Sequence, residues 1–289
     1  MTFKLDLEQI TILLSRMAEA LERIAPSYQF PDNLEKAEGF IWEAQLRKLQ
    51  KIEEIERLPL SCLQGIEPQK RELLENSRAF ARGLKANNAL LWGARGAGKS
   101  SLLKAVHGQL LSEGLDCAIV EVQREDIQDL PHIMQVLKHS NRRFILFCDD
   151  LAFEEADSSY KSLKAVLEGG LSGRPDNIVF YATSNRRHLM PRQMIDNERG
   201  SAINPSEAIE EKISLSDRFG LWIGFHSVDQ DTYLSMIESY VGFYELPVDL
   251  EQTKSQALTW CMGRGHRSGR TAYQFIIHLA GTLGITLKK

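Results

Sequence analysis

Gly93-Ala94-Arg95-Gly96-Ala97-Gly98-Lys99-Ser100 is the stretch on which the fold of this chain turns. Asn88-Ala89-Leu90-Leu91-Trp92 before it reads as a short buried strand, and Ser101-Leu102-Leu103-Lys104-Ala105-Val106 after it opens a helix. A strand, a glycine loop and a helix in that order let the amides of Gly96, Gly98, Lys99 and Ser100 converge on phosphate oxygens at a helix N-terminus. Glycine is needed because a Cβ would obstruct the turn and hold phosphates away from the backbone. Lys99 then neutralises β- and γ-phosphates, and the Ser100 hydroxyl completes the shell of a Mg²⁺ ion. The candidate cradle runs through Gly93, Ala94, Arg95, Gly96, Ala97, Gly98, Lys99, Ser100 and Ser101. It implies binding of a nucleoside triphosphate.

Working outward, the other apolar runs are short. Cys117 to Val122, Phe144 to Cys148, Ile178 to Ala182 and Leu221 to Phe225 read as strands, and helical stretches separate most of them. With the strand before the glycine loop they make five, which predicts a parallel α/β sheet covered on both faces. Arg71 to Leu84 is an amphipathic helix leading into the loop strand. After Phe225 the β signal ends, and Asp231 to Tyr244, Leu250 to Met262 and Arg270 to Leu283 are predicted helices. Asp196 to Glu211 is polar and turn-rich, a predicted loop with a short helix.

At the N-terminus Leu7, Ile10, Leu14, Met17, Leu21 and Ile24 form one stripe on a helix that Pro26 ends. That stripe is suited to a second predicted helix, Phe40 to Ile55, or to another subunit. The organisation expected is therefore an N-terminal helical region (1–59), a P-loop α/β domain (60–226) and a C-terminal helical lid (227–289).

The bulk properties are those of a soluble globular protein: 289 residues, 43% hydrophobic and 26% charged. A net charge of −4 leaves nucleic acid to a local patch, for which Arg142-Arg143 and Arg186-Arg187-His188 are the candidates. The four cysteines lack metal-ligand spacing, and Cys117 and Cys148 lie in apolar runs as small core residues. Without a signal peptide or a long apolar run, a cytoplasmic location is expected.

Two strand ends carry the remaining chemistry. Phe144 to Cys148 ends in Asp149-Asp150, and in a parallel sheet the carboxyl ends of strands face the ligand crevice. Asp149 is then the Mg²⁺-side acid, and Asp150 is placed to orient or deprotonate the attacking water. Tyr181-Ala182-Thr183-Ser184-Asn185 directs Asn185 toward the γ-phosphate or that water. Leu215-Ser216-Asp217-Arg218-Phe219-Gly220 puts Arg218 near the sheet edge, as an arginine finger toward a neighbouring subunit or as a salt-bridged surface residue. In Gly265-His266-Arg267-Ser268-Gly269-Arg270, Ser268 suits an N-cap. Arg270, a cation in a helix's first turn, runs against the dipole and hints at an anion to be met.

Taken together, this order of motifs resembles the AAA+ ATPase superfamily. More narrowly, Leu63-Gln64-Gly65-Ile66 with Gln69-Lys70, Asn87 to Gly93, Tyr181 to Leu189 and Arg267-Ser268-Gly269-Arg270 are similar to domain-of-unknown-function family 815, a bacterial ATP-binding family. The likeness spans about Leu60 to Leu283. It implies that Lys99 and Ser100 are the Walker A pair, Asp149 and Asp150 the Walker B acids, Asn185 sensor 1, Arg218 the finger and Arg270 sensor 2. It also implies adenine bordered by Gly65 and Ile66, with ATP and Mg²⁺ as cofactors.

One departure stands out. Most members of the superfamily end Walker B with Asp-Glu, and this chain has Asp-Asp, one methylene shorter at Asp150. The expectations are thus a Mg²⁺-dependent ATPase forming nucleotide-dependent homo-oligomers, a slowly hydrolysing ATP-gated switch, or a helicase-loader-like protein on nucleic acid. A kinase sharing the P-loop is the weakest alternative.

Overall fold

Apolar side chains alternate across each central strand, and the alternation decides how the layers form. In β3 (Ala89–Gly93), Ala89 and Leu91 enter one core cluster and Leu90 the other. In β5 (Phe144–Cys148), Ile145 and Phe147 face the first cluster while Phe144, Leu146 and Cys148 face the second. A sheet apolar on both faces must be covered on both. Helices α2 (Glu67–Ala81) and α3 (Lys99–Ser112) cover one side through Leu73, Phe80, Leu102 and Leu110. Helices α4 (Leu130–Leu137) and α5 (Ser159–Glu168) cover the other through Leu130, Ile133, Leu163 and Val166. The structure, a computed structural model, describes residues 7–24, 34, 37–153, 159–168, 173–187, 189, 215 and 217–287. The loop expected over 196–211 lies outside them.

All five expected strands are present, joined by two more. With β1 (Gly39–Glu43), β2 (Lys48–Ile52), β4 (Ala118–Glu121), β6 (Ile178–Ser184) and β7 (Leu221–Phe225), the sheet has seven strands in the order β2-β1-β4-β5-β6-β3-β7. Every neighbouring pair is parallel except β1 with β2. The phosphate-loop strand β3 therefore lies between β6 and β7, and the ends of β3, β5 and β6 open on one edge.

The helix expected over Phe40 to Ile55 is corrected to this β1–β2 hairpin. Its Glu, Lys, Gln and Leu residues favour a helix locally, but burial follows a period of two. Phe40 and Trp42 are each 1% exposed in the core, and Gly39 to Ile41 register with Ile119 to Glu121 of β4. Sheet extension outweighs local propensity here. Lys48 and Lys51 lie on the outermost strand, where charge discourages edge-to-edge pairing. Helix α1 (Leu7–Ile24) forms as expected, but the helical partner offered by Phe40 to Ile55 does not exist. Leu14 and Met17 are 60% and 61% exposed.

Beyond β7, α6 (Gln230–Phe243), α7 (Leu250–Met262) and α8 (Gly269–Leu283) build a third core around Tyr233, Ile237, Ala257 and Ile276. Each is N-capped by a side chain: Asp229 accepts from the Thr232 amide at 2.8 Å, Asp249 from Gln252 at 2.7 Å and Ser268 from Thr271 at 3.1 Å. No helix among the described residues is long and apolar enough to cross a membrane.

Candidate functional site

The Gly93–Ser100 loop owes its shape to three glycines at positive φ: Gly93 (131°), Gly96 (71°) and Gly98 (93°). A Cβ on Gly93 would lie 1.9 Å from the Phe225 carbonyl oxygen on the neighbouring strand, so only glycine fits there. Gly98 is the N-cap of α3, and the unpaired amides of that helix's first turn face the loop.

Lys99 is the first residue of α3. Its Nζ donates to the carbonyls of Gly93 (2.9 Å) and Ala94 (2.8 Å) and to Asn185 Oδ1 (3.1 Å). Burial holds its ammonium below the ordinary lysine value, against the pull of Asp149 and Asp150; Arg270 and Arg95 push the same way as burial. The three N–H donors of Lys99 rest on uncharged oxygens, weaker partners for an ammonium than an anionic oxygen.

Beside it, Ser100 Oγ donates to Asp149 Oδ1 at 2.6 Å, and Thr183 Oγ1 donates to the same oxygen at 2.5 Å. A serine hydroxyl and a carboxylate are hard oxygen donors of the kind Mg²⁺ takes together with nucleotide phosphates. These residues fit that ion.

Asp150 departs from the strand with φ at 51°, a left-handed conformation costing a non-glycine residue about 1 kcal/mol or more. Its amide donates to Thr183 Oγ1 at 2.9 Å, and its carboxylate accepts from Asn185 Nδ2. The Asn185 amide thus spans Lys99 on one side and Asp150 on the other.

A cavity of about 740 Å³ joins these groups. The loop from Arg95 to Ser101 lines it, with Asp149, Asp150, Asn185, Ile66 and Arg270. Arg270 arrives from the opposite side, its amide donating to the Gly96 carbonyl at 3.3 Å. The crevice thus lies between the carboxyl edge of the sheet and the three C-terminal helices.

Two expected residues sit elsewhere. Gly65 is not in the lining; at φ 75° it packs on Thr232, whose Cγ2 would lie 2.3 Å from an added Cβ. Arg218 is outside the crevice and pairs with Glu168 of α5, Nη2 to Oε1 at 2.5 Å. Neither Arg142 nor Arg143 is a free patch. Arg142 is buried, bound to Asp116 and to the Leu34 and Ala37 carbonyls, and Arg143 lies over the Phe80 ring and donates to the Asp176 carbonyl.

Several lining residues escaped the sequence reading. Thr183 does so because a polar residue near a strand end looks like a turn signal. Tyr240 and Phe243 of α6, Tyr244 just past its end and Tyr273 of α8 also line it; their spacing reads as core. Arg57 also lines the cavity, held by Glu38 at 2.6 Å and by His107 Nδ1 at 3.2 Å. His107 Nε2 pairs with the Cys117 carbonyl at 2.8 Å, which assigns the proton to Nε2 and leaves Nδ1 to accept. All four cysteines are free and buried, and burial pushes the Cys117 and Cys148 thiols up to about 12.

The family described as protein of unknown function (DUF815) matches residues 35–283. No curated protein matches the chain. Among solved structures, the Aeropyrum pernix ORC2 protein, in ADPNP–ADP complexes, is similar with a TM-score of 0.54 at 12% identity, covering 81% of this chain and 68% of that one. The Aeropyrum pernix ORC1 protein in complex with DNA gives 0.50 at 15%, covering 73% and 58%. The Thermotoga maritima RuvB Holliday junction branch migration motor gives 0.43 at 13%, covering 76% and 72%. At such identities the likeness to the two ORC proteins is one of fold. By the match over 35–283 the chain belongs to the DUF815 family, and its fold is that of the AAA+ proteins.

Proposed function

We propose that this protein is a Mg²⁺-dependent ATPase whose nucleotide occupies the crevice between the P-loop α/β domain and the C-terminal helical lid. The observation that carries the reading is the convergence of Lys99, Ser100, Asp149, Asp150, Asn185 and Arg270 on one cavity, drawn from four separate elements. In this reading the amides of the loop and Lys99 grip the β- and γ-phosphates. Ser100 and Asp149 hold Mg²⁺, which supplies charge neutralisation on the phosphate oxygens. Asp150 and Asn185 orient the attacking water, and Arg270 meets the γ-phosphate from the lid. The Tyr and Phe residues of α6 and α8 face the base.

Binding would tighten the contact that Arg270 already makes with Gly96, and that change is what a partner would sense. Arg218 is the residue offered to a neighbouring copy in a nucleotide-dependent homo-oligomer. The structural occupation of Arg142 and Arg143 argues against a phosphate-facing surface on that side. Titration with a fluorescent ATP analogue, followed by Mg²⁺-dependent release of inorganic phosphate, tests the proposal. Saturable binding lost on chelation or in Lys99→Ala supports it, and a chain that binds no nucleotide overturns it.

A further inference from the structure

The Asp-Asp ending of β5 leaves the second carboxylate one methylene short, and the geometry around it points to a compensation. We infer that Thr183 is a positioning residue that makes the short Asp150 reach: its hydroxyl fixes the left-handed turn which carries the carboxylate to Asn185. The inference rests on the ATPase reading for its consequence, but on the fold alone for its geometry.

Thr183 is 1% exposed on β6, at the wall of the cavity, so its hydroxyl is almost wholly shielded and its hydrogen bonds are internal. Both of its capacities are used. The Oγ1 hydrogen goes to Asp149 Oδ1 at 2.5 Å, and a lone pair takes the Asp150 amide at 2.9 Å. One residue later the Leu151 amide donates to the Thr183 carbonyl at 2.7 Å. Three successive residues at the end of β5 are thereby tied to one residue of the neighbouring strand. Asp150, the middle one, can satisfy those ties only by leaving the extended conformation, and its φ is 51°.

That conformation also accounts for the residue type. Aspartate and asparagine tolerate the left-handed region better than most residues, and here the short side chain brings the Asp150 carboxylate to the Asn185 amide at the end of the neighbouring strand. A glutamate has no such advantage, and its extra methylene would carry the carboxylate past the amide it now meets. The shorter acid and the turned backbone form a matched pair. Thr183 touches no reacting atom in this account; it acts through Asp149 and Asp150.

The test compares Thr183→Val, which keeps shape but removes the hydroxyl, with Thr183→Ser and Asp150→Glu in the full chain. Crystal structures should find Asp150 at negative φ and parted from Asn185 in Thr183→Val, and unchanged in Thr183→Ser. In ATP turnover, Thr183→Val is expected to lose about tenfold or more in kcat with KM little changed. Thr183→Ser should stay within about threefold of wild type, and Asp150→Glu should fall rather than rise. A Thr183→Val chain that keeps Asp150 at positive φ, or turns over like wild type, overturns the inference. If wild type binds no ATP, the function proposed above fails while the crystallographic comparison still decides the role of Thr183.

Discussion

The amide of Arg270 donates to the carbonyl of Gly96 at 3.3 Å, which fastens the first turn of α8 to the phosphate loop itself. A Cβ on Gly96 would stand 3.0 Å from Ser268 Oγ and 3.2 Å from Arg270 Cβ, on a backbone at φ 71°. Gly96→Ala is therefore expected to push the lid off the loop and weaken ATP binding by about tenfold or more, a loss near 1.4 kcal/mol. Calorimetric titration measures it. Wild-type affinity in this variant would mean that the lid contact plays no part in holding nucleotide.

Lys99 is the buried cation of the site, and its three acceptors are uncharged oxygens. Lys99→Ala removes the amine placed to meet the β- and γ-phosphates in this reading. Saturable ATP binding should disappear while the thermal unfolding profile remains cooperative. Retained binding would assign the phosphate site elsewhere.

Arg218 and Glu168 form an ion pair whose side chains are 23% and 45% exposed. Partly exposed pairs contribute little, so Arg218→Ala should change stability by less than about 1 kcal/mol. As a finger toward a neighbour's nucleotide, its loss should leave ATP binding intact and abolish turnover at concentrations where copies assemble. Wild-type turnover under those conditions would reduce Arg218 to its contact with Glu168.

His107 is fully buried, and burial lowers its pKa from 6.5 to about 4. The unfolded chain therefore binds a proton that the folded one refuses, and stability is lost as pH falls from about 6.5 toward 4. At 1.36 kcal/mol per unit the loss amounts to about 3 kcal/mol by the lower end of that window. Urea midpoints measured across this range should fall in wild type and fall less steeply in His107→Gln. Parallel slopes for the two chains would acquit His107 as the source.

Local reading went furthest where one segment carries its own chemistry. The Gly93–Ser100 loop needs only its neighbours in the chain to become a strand, a turn and a helix N-terminus. Asp149 follows from an apolar strand ending in acids, and Ser268 from its place before Arg270 and Thr271. Five strands were legible for the same reason, since an unbroken apolar run has few other uses in a chain of this polarity. Reading stopped where local preference and tertiary demand diverge. Phe40 to Ile55 is rich in helix formers, yet the open edge beside β4 and a place in the core for Phe40 and Trp42 turn it into a hairpin.

The amino-acid sequence by itself determined that a glycine-rich strand–loop–helix turn, an acid-tipped strand and an Asn-tipped strand exist, because each is built from residues adjacent in the chain. Only the tertiary structure decided that Thr183 ties Asp149 to Asp150, that Arg57 is held by Glu38 and His107, and that Arg270 closes over Gly96. Those contacts join residues from about 20 to well over 100 positions apart. Side-chain direction at such distances is set by strand order and helix packing, which no local window contains.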